Sequence, residues 1–352
     1  MVWSGCRFAS SRRTWPSPRS WRADICSTQT RFAPPGNREI ERPPIAFRQN
    51  ARVTNPGSTQ EGIERLRLYF AEVSTRQGVL ARQALGQPAP GDEVLAGRLV
   101  DDMRAQTGMD GSISGAVVAT IWRAHELLDL GCGSDHAGTV RVMGWVLALQ
   151  AKPGAFSEGC SPPRHAHRAC EHFISGFFSP APPMQRFAPV TFPNGKVFRG
   201  EPAARFAVSC LALRAALRGR LEQRPGVEQH LVSLLQLQEQ WDDWNGYFAP
   251  DAIVAGIHAL AFAVGPHREV LPRLAGTLAA NQAEDGTWTH ADLFHTVEAL
   301  LALGTKEAHA AVRRAVPAVL ARQRIDGSFG SAAQQERALI ALRALIWAEK
   351  EM

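Results

Sequence analysis

Three copies of one short pattern, Gln-x-x-x-Gly-x-aromatic, constrain this chain more than any other feature. They run from Gln150 to Phe156, from Gln282 to Trp288 and from Gln323 to Phe329. Two looser copies run from Gln106 to Gly111 and from Gln240 to Phe248. A sixth turn, Asn194-Gly195-Lys196-Val197-Phe198, keeps the glycine and aromatic without the glutamine. The turn glycines Gly111, Gly154, Gly195, Gly246, Gly286 and Gly327 stand 43, 41, 51, 40 and 41 residues apart. A fixed period near 40 residues marks a repeat architecture, whose units bury their apolar faces only against neighbours.

Residues 266–304 show one unit. Leu271, Leu274 and Leu278 recur at helical spacing, Asp285-Gly286 follow, and Leu293, Val297, Leu300 and Leu301 recur again before Gly304. The spacing predicts helix, tight turn, helix. Glycine accepts positive φ in the turn, and the Asp side chain bonds nearby backbone amides. Val316, Val319 and Leu320, then Asp326-Gly327, then Leu339, Leu342 and Leu345 repeat the unit. The aromatic should pack back over the turn beside the glutamine, whose amide can meet carbonyls left open at a helix end. The motifs read as clamps between helices, not as catalytic groups.

At this period the pattern resembles the repeat of squalene–hopene cyclases, shared more loosely with the β subunits of protein prenyltransferases. The resemblance covers residues 90–348 and implies an all-α fold, an α/α toroid of about six helix-turn-helix units around a central cavity. It places the inner helices at 113–129, 164–178, 200–217, 250–263, 290–303 and 331–348. Residues 179–193 hold Pro180, Pro182, Pro183, Pro189 and Pro193, so a Pro-rich segment stands where an outer helix belongs. The ring is either incomplete there or closed by a helix at 60–84.

The charge balance divides the chain. Residues 1–50 hold nine Arg and three acidic residues, whereas the other 302 hold 30 Lys and Arg against 30 Asp and Glu. The basic surplus lies in the tail, which argues against nucleic acid as a partner of the body. Residues 1–58 read as a disordered Arg/Pro/Ser-rich tail without the apolar region of a secretory signal, and 59–352 as the toroid domain. The tail's composition resembles a transit peptide, or equally sequence upstream of a mis-assigned start, with Val53 an alternative. No apolar run of 18 residues exists, so no transmembrane span is expected, while peripheral membrane contact stays open. The six cysteines form no disulfide framework, and a cytoplasmic setting is the default expectation.

Three segments carry candidate chemistry. Asp292-Leu293-Phe294-His295-Thr296 resembles the Asp-x-Asp-Asp-Thr stretch of class II terpene cyclases, whose middle Asp protonates an alkene or epoxide. Here Phe294 stands at that position. An Asp in a first helical turn is stabilised as a carboxylate, the wrong direction for a strong acid, and reads equally as a cap. The segment also resembles the stretch that carries the zinc-ligating His of prenyltransferases, which would be His295. The matching Asp/Cys pair is Asp251-Ala252-Ile253 here, without the cysteine, so zinc-dependent prenylation is disfavoured.

The second segment, Cys160 to His172, holds five Cys and His side chains in 13 residues. Cys160, His167 and Cys170 are the candidate ligands for a divalent metal, although no standard spacing is present and polar cavity lining is the competing reading. Arg164 and His165, near a helix start, suit an anionic group. The third, Trp241-Asp242-Asp243-Trp244, reads as a solvated turn rather than a magnesium site. Gly131-Cys132-Gly133-Ser134-Asp135 resembles the thioester site of complement-type toroids but lacks its glutamine.

The resemblance implies a terpenoid cyclase- or prenyltransferase-like protein with an apolar central cavity, acting on or binding an isoprenoid-like lipid. If it is an enzyme, the expected catalytic residues are Asp292, His295 and Asp251, with Asp292 orienting the His295 ring. The expected substrate-binding residues are Arg164, His165, Trp122, Phe173, Phe206, His258 and Phe294, their rings lining the cavity. The alternatives are a non-catalytic scaffold or lipid-binding module, and a metal-dependent enzyme using the 160–172 cluster.

Overall fold

The computed structural model describes residues 58–150, 157–158, 174–175, 187–246 and 248–350. All lie within the unit Val53–Met352. Among the described residues twelve α-helices alternate in chain order as six pairs. The first members are α1 (Thr59–Phe70), α3 (Asp92–Ala105), α5 (Ala137–Ala148), α7 (Pro225–Leu237), α9 (Leu271–Ala280) and α11 (Lys306–Leu320). Their partners are α2 (Arg76–Ala84), α4 (Val117–Asp129), α6 (Glu201–Arg218), α8 (Pro250–Leu260), α10 (Leu293–Leu303) and α12 (Gln334–Glu349). In five of these pairs the two helices pack on each other, while α5 packs on α4.

The second members make the inner ring. α4 packs on α6, α6 on α8, α8 on α10, α10 on α12 and α12 on α2. Arg76 of α2 pairs with Asp129 of α4, which spans the remaining gap. Composition sorts the two layers. Every residue of α8 except Asp251 is buried, so the helix must lie inside. α11 instead buries one stripe, including Ala308, Val312, Ala315 and Val319, and shows its charges to solvent. The unit is an all-α toroid.

The glutamine turns at Gln282 and Gln323 each tie one outer helix to the next around the ring. Gln282, beyond α9, donates to the carbonyl of Gly286 in its own turn and to that of Ala311 on α11, both at 3.0 Å. Trp288 folds back to donate its indole N–H to the Leu278 carbonyl at 2.7 Å. Gly286 sits at φ +81, and a Cβ there would lie 2.2 Å from the Arg314 carbonyl, so the position admits only glycine. Gly327 meets the Arg65 carbonyl on α1 in the same way.

Five expected inner helices appear close to their places, as α4, α6, α8, α10 and α12. The sixth does not. Ile174 and Ser175 form a strand, β2 (Ile174–Ser175), antiparallel to β1 (Ser157–Glu158), with Ser157 opposite Ser175. Backbone groups committed to that pairing cannot serve a helix over 164–178, whose other residues lie outside the described set. The ring is closed instead by the first pair, two helices separated at 71–75 rather than one over 60–84. Residues 179–186 of the Pro-rich stretch lie outside the described residues, and beyond them, between α5 and α6, Gly195 turns a β-hairpin. That hairpin joins β3 (Val190–Thr191) to β4 (Val197–Phe198).

Candidate functional site: a plugged ring and the cavity beneath it

The β3–β4 hairpin enters the ring where α8, α10 and α12 begin. The Phe192 and Phe198 rings lie 5.0 Å apart, each 6.3 Å from the His295 ring. Asn194 Nδ2 donates to Glu298 Oε2 at 3.0 Å, and Arg337 Nε donates to the Asn194 carbonyl at 3.0 Å. Lys196 pairs with Asp251. Beneath Phe192 only about 10 Å³ stays empty, bounded by Cys210, Arg214, Ala255, His258 and His295. That volume is at the limit for one water molecule. The hairpin is a plug toward α8, α10 and α12, while on its α4 side a cavity of about 680 Å³ stays open between residues 115–122 and 187–193.

On the far side of Arg214 and His258 the ring opens into a cavity of about 490 Å³. Its floor is polar: Asp129, Arg214, Arg218, His258, Glu298 and Glu336. Its collar is Trp122, Phe262, Leu301, Ile340, Ile346 and Trp347, with Arg343 and Lys350 also on the wall. The expected apolar cavity is thus corrected to one apolar at the collar only. The inner helices, mostly apolar, carry charges at cavity-facing positions, Glu298 on α10 and Arg214 and Arg218 on α6.

Those floor charges are largely paired. Arg76 bridges Asp129 and Glu336. Arg218 reaches Asp129 at 2.6 Å and His125 Nδ1 at 3.0 Å. Gln77 donates to Glu336 at 2.9 Å. Burial works to raise the Asp129 carboxyl, but the Arg218 and Arg76 guanidiniums outweigh it and hold it below the usual carboxylate range. Arg214 lies 2.7 Å from the His258 ring nitrogens and 3.6 Å from Glu298. Burial, then the charge of Arg214, pushes His258 well below the usual imidazole value. Burial, then Arg214 and Lys196, lowers His295 to about 3. Both rings are neutral at pH 7. Glu298 goes the other way, because burial raises it more than Arg214 and Asn194 lower it, with Glu336 and Asp129 adding repulsion.

The expected catalytic residues stand at the plugged end. Asp292 is the N-cap of α10, its carboxylate accepting from the His295 backbone N–H at 3.0 Å. It also lies 3.6 Å from Arg337. Asp251 Oδ1 accepts from the Asp292 N–H at 2.9 Å. The expected orientation of the His295 ring by Asp292 is corrected. The carboxylate turns to the open amides of the helix start, and ring Nδ1 has no hydrogen-bond partner among the described residues.

Phe294 and Phe206 also depart from expectation, since neither lines the cavity. Phe294 packs against Phe329 at 5.4 Å and under the Arg337 guanidinium at 5.1 Å. Phe206 is fully buried against Phe248, its ring centroid 5.9 Å away. Trp122 and His258 do line it. Arg164, His165, Phe173, Cys160, His167 and Cys170 lie outside the described residues. Among the described residues no group of three His, Cys, Asp or Glu is placed to hold a metal ion. Asp242 pairs with exposed Arg273 at 3.2 Å, and Asp243 accepts from the Asn245 N–H at 3.2 Å, so that turn is a solvated cap. Asp129, Arg214, Arg218, Glu298 and Glu336 were not singled out in the sequence. Their signal is a charge interrupting an otherwise apolar inner helix.

This architecture defines a terpene-cyclase-like α/α toroid. Its structure is similar to that of the type II terpene cyclase MstE from Scytonema. An arginine-to-alanine variant of that enzyme, in complex with its substrate geranylgeranyl dihydroxybenzoate, aligns with TM-score 0.50 over 82% of this chain and 97% of its own. An aspartate-to-alanine variant in complex with the product merosterolic acid A aligns with TM-score 0.51 over 82% and 96%. Sequence identity is 13% in both cases, so the likeness is one of fold. No family profile matches the chain, and no curated protein does. Among the described residues no helix is long and apolar enough to cross a membrane.

Proposed function

We propose that this protein binds an isoprenoid-like small molecule in the cavity beneath the plug. The observation that carries the reading is the collar, where Trp122, Phe262 and Trp347 join Leu301, Ile340 and Ile346 around about 490 Å³. That volume falls in the usual range for small-molecule sites, about 300–1,000 Å³, and the aromatic faces suit an unsaturated hydrocarbon chain. The solved structures of similar fold carry a prenylated substrate and a terpenoid product, which supports the ligand class by analogy. Binding is favoured over protonation-initiated cyclisation because Phe294 is packed into the wall and the neighbouring carboxylates, Asp292 and Asp251, serve as caps and ion-pair partners.

The test is equilibrium binding of C15, C20 and C30 isoprenoids to the wild type and to Ala302→Trp, which fills the collar. Saturable binding that weakens about tenfold or more in the folded variant supports the reading. Equal binding by both proteins sinks it.

A further inference from the structure

Resting on that reading, we propose that Glu298 holds the polar end of the ligand, its carboxyl donating a hydrogen bond to a ligand oxygen at the cavity floor. The site then selects an oxygenated isoprenoid over a hydrocarbon. Most floor groups are already committed to one another. Asp129 is held by Arg76 and Arg218, and Glu336 by Arg76 and Gln77. His258 is covered by Arg214. Glu298 Oε2 accepts from Asn194, but Oε1 makes no hydrogen bond among the described residues, because Arg214 at 3.6 Å is too far. Glu336 Oε1 is also without a hydrogen bond among the described residues, but Glu336 is ion-paired with Arg76, so Glu298 is the floor carboxyl that has an open oxygen and no guanidinium within hydrogen-bond distance. Its side chain is 21% exposed where it borders the cavity.

The protonation state follows from the groups facing it. The plug offers Asn194, a neutral donor. α6 offers Arg214, α8 a neutral His258, and α12 and α4 the negative Glu336 and Asp129. One cation beyond hydrogen-bond distance does not offset burial plus two like charges, so the Glu298 carboxyl keeps its proton to higher pH than an ordinary glutamate. A neutral carboxyl has one O–H to give, and the open direction is into the cavity. A hydrocarbon placed there leaves that O–H unsatisfied, whereas an alcohol or carbonyl accepts it.

The experiment compares farnesol with farnesene, its oxygen-free counterpart, on the full chain, using wild type, Glu298→Gln and Glu298→Leu. The wild type is expected to prefer the alcohol by about tenfold at the acid end of the range in which it stays folded, and to lose that preference as pH rises and Glu298 ionises. Glu298→Gln, whose amide still donates, should keep the preference at every pH, and Glu298→Leu should lose it. Infrared difference spectra of wild type against Glu298→Gln should show a protonated carboxyl C=O stretch at the pH where the preference holds, fading as the preference is lost. Equal binding of both probes by wild type, a preference retained in Glu298→Leu, or no such stretch overturns this inference and leaves the cavity reading standing. Binding of neither probe overturns both.

Discussion

The side-chain amide of Gln323 donates to the carbonyl of Gly62 at 3.0 Å, across 261 positions of sequence. Arg65 Nε returns a bond to Gln323 Oε1 at 3.0 Å. The glutamine follows α11 and the glycine lies in α1, so this exchange joins the last outer helix to the first. Gln282 performs the same act between α9 and α11. The clamp between α9 and α11 is repeated beyond α11, where its partner is the chain's first outer helix.

Replacing Gln323 with Ala removes both bonds from a partly buried seam. We expect a loss of about 1–3 kcal/mol in urea unfolding, with faster amide exchange in α1. Unchanged exchange in α1 would show that the ring is held shut by packing alone.

Gly286, in a turn, and Gly97, in a helix, should respond oppositely to Ala. Gly286→Ala forces an L residue to φ +81 with its methyl 2.2 Å from the Arg314 carbonyl, and should cost more than about 2 kcal/mol. Gly97, inside α3, has no atom within 4 Å of the point a methyl would occupy, and Gly97→Ala should be stabilising by up to about 1 kcal/mol. Thermal unfolding of the two variants gives the comparison directly.

Arg76→Met leaves Asp129 and Glu336 short of a shared cation in the ring wall. The expected cost is about 3 kcal/mol at pH 7, shrinking in acid as the carboxylates take up protons. Denaturant titrations at pH 7 and pH 4 check both the size and the trend. A cost independent of pH would mean that the loss is one of packing.

His295 makes the fold acid-sensitive. In the unfolded chain the imidazole titrates near 6.5, but in the folded protein near 3, so between these values the unfolded state binds the extra proton. Stability contributed by the neutral ring is full above about pH 6.5 and is lost as pH falls toward 3, with a slope of at most about 1.4 kcal/mol per pH unit. His295→Phe, placed against Phe192 and Phe198, should flatten that slope. An unaltered profile from pH 7 to pH 4 would assign the sensitivity to other groups.

The repeat and most inner helices are legible in the sequence because their determinants are local. A turn glycine and an apolar period predict α10 and α12 to within a few residues. The third unit departs from the pattern for an equally local reason. Asn194-Gly195 is turn chemistry in a β-hairpin as much as between helices, and the period counts it as one more unit. The site is less legible still. The motif at Asp292–Thr296 draws attention to the helix start, yet its carboxylate is spent on backbone amides and its aromatic faces the wall. Glu298, one turn below Phe294, carries no motif at all.

What the sequence determined alone was the period, the clamps and an all-α ring, since each follows from residues within about 40 positions of one another. The tertiary structure decided where the ring closes, where the hairpin packs and which floor carboxyl escapes a guanidinium. Those depend on contacts between residues far apart in the chain: Gln323 with Gly62, Asn194 with Glu298, Arg76 with Asp129 and Glu336. A side chain's charge and access are set by its neighbours in space, and no local pattern names them.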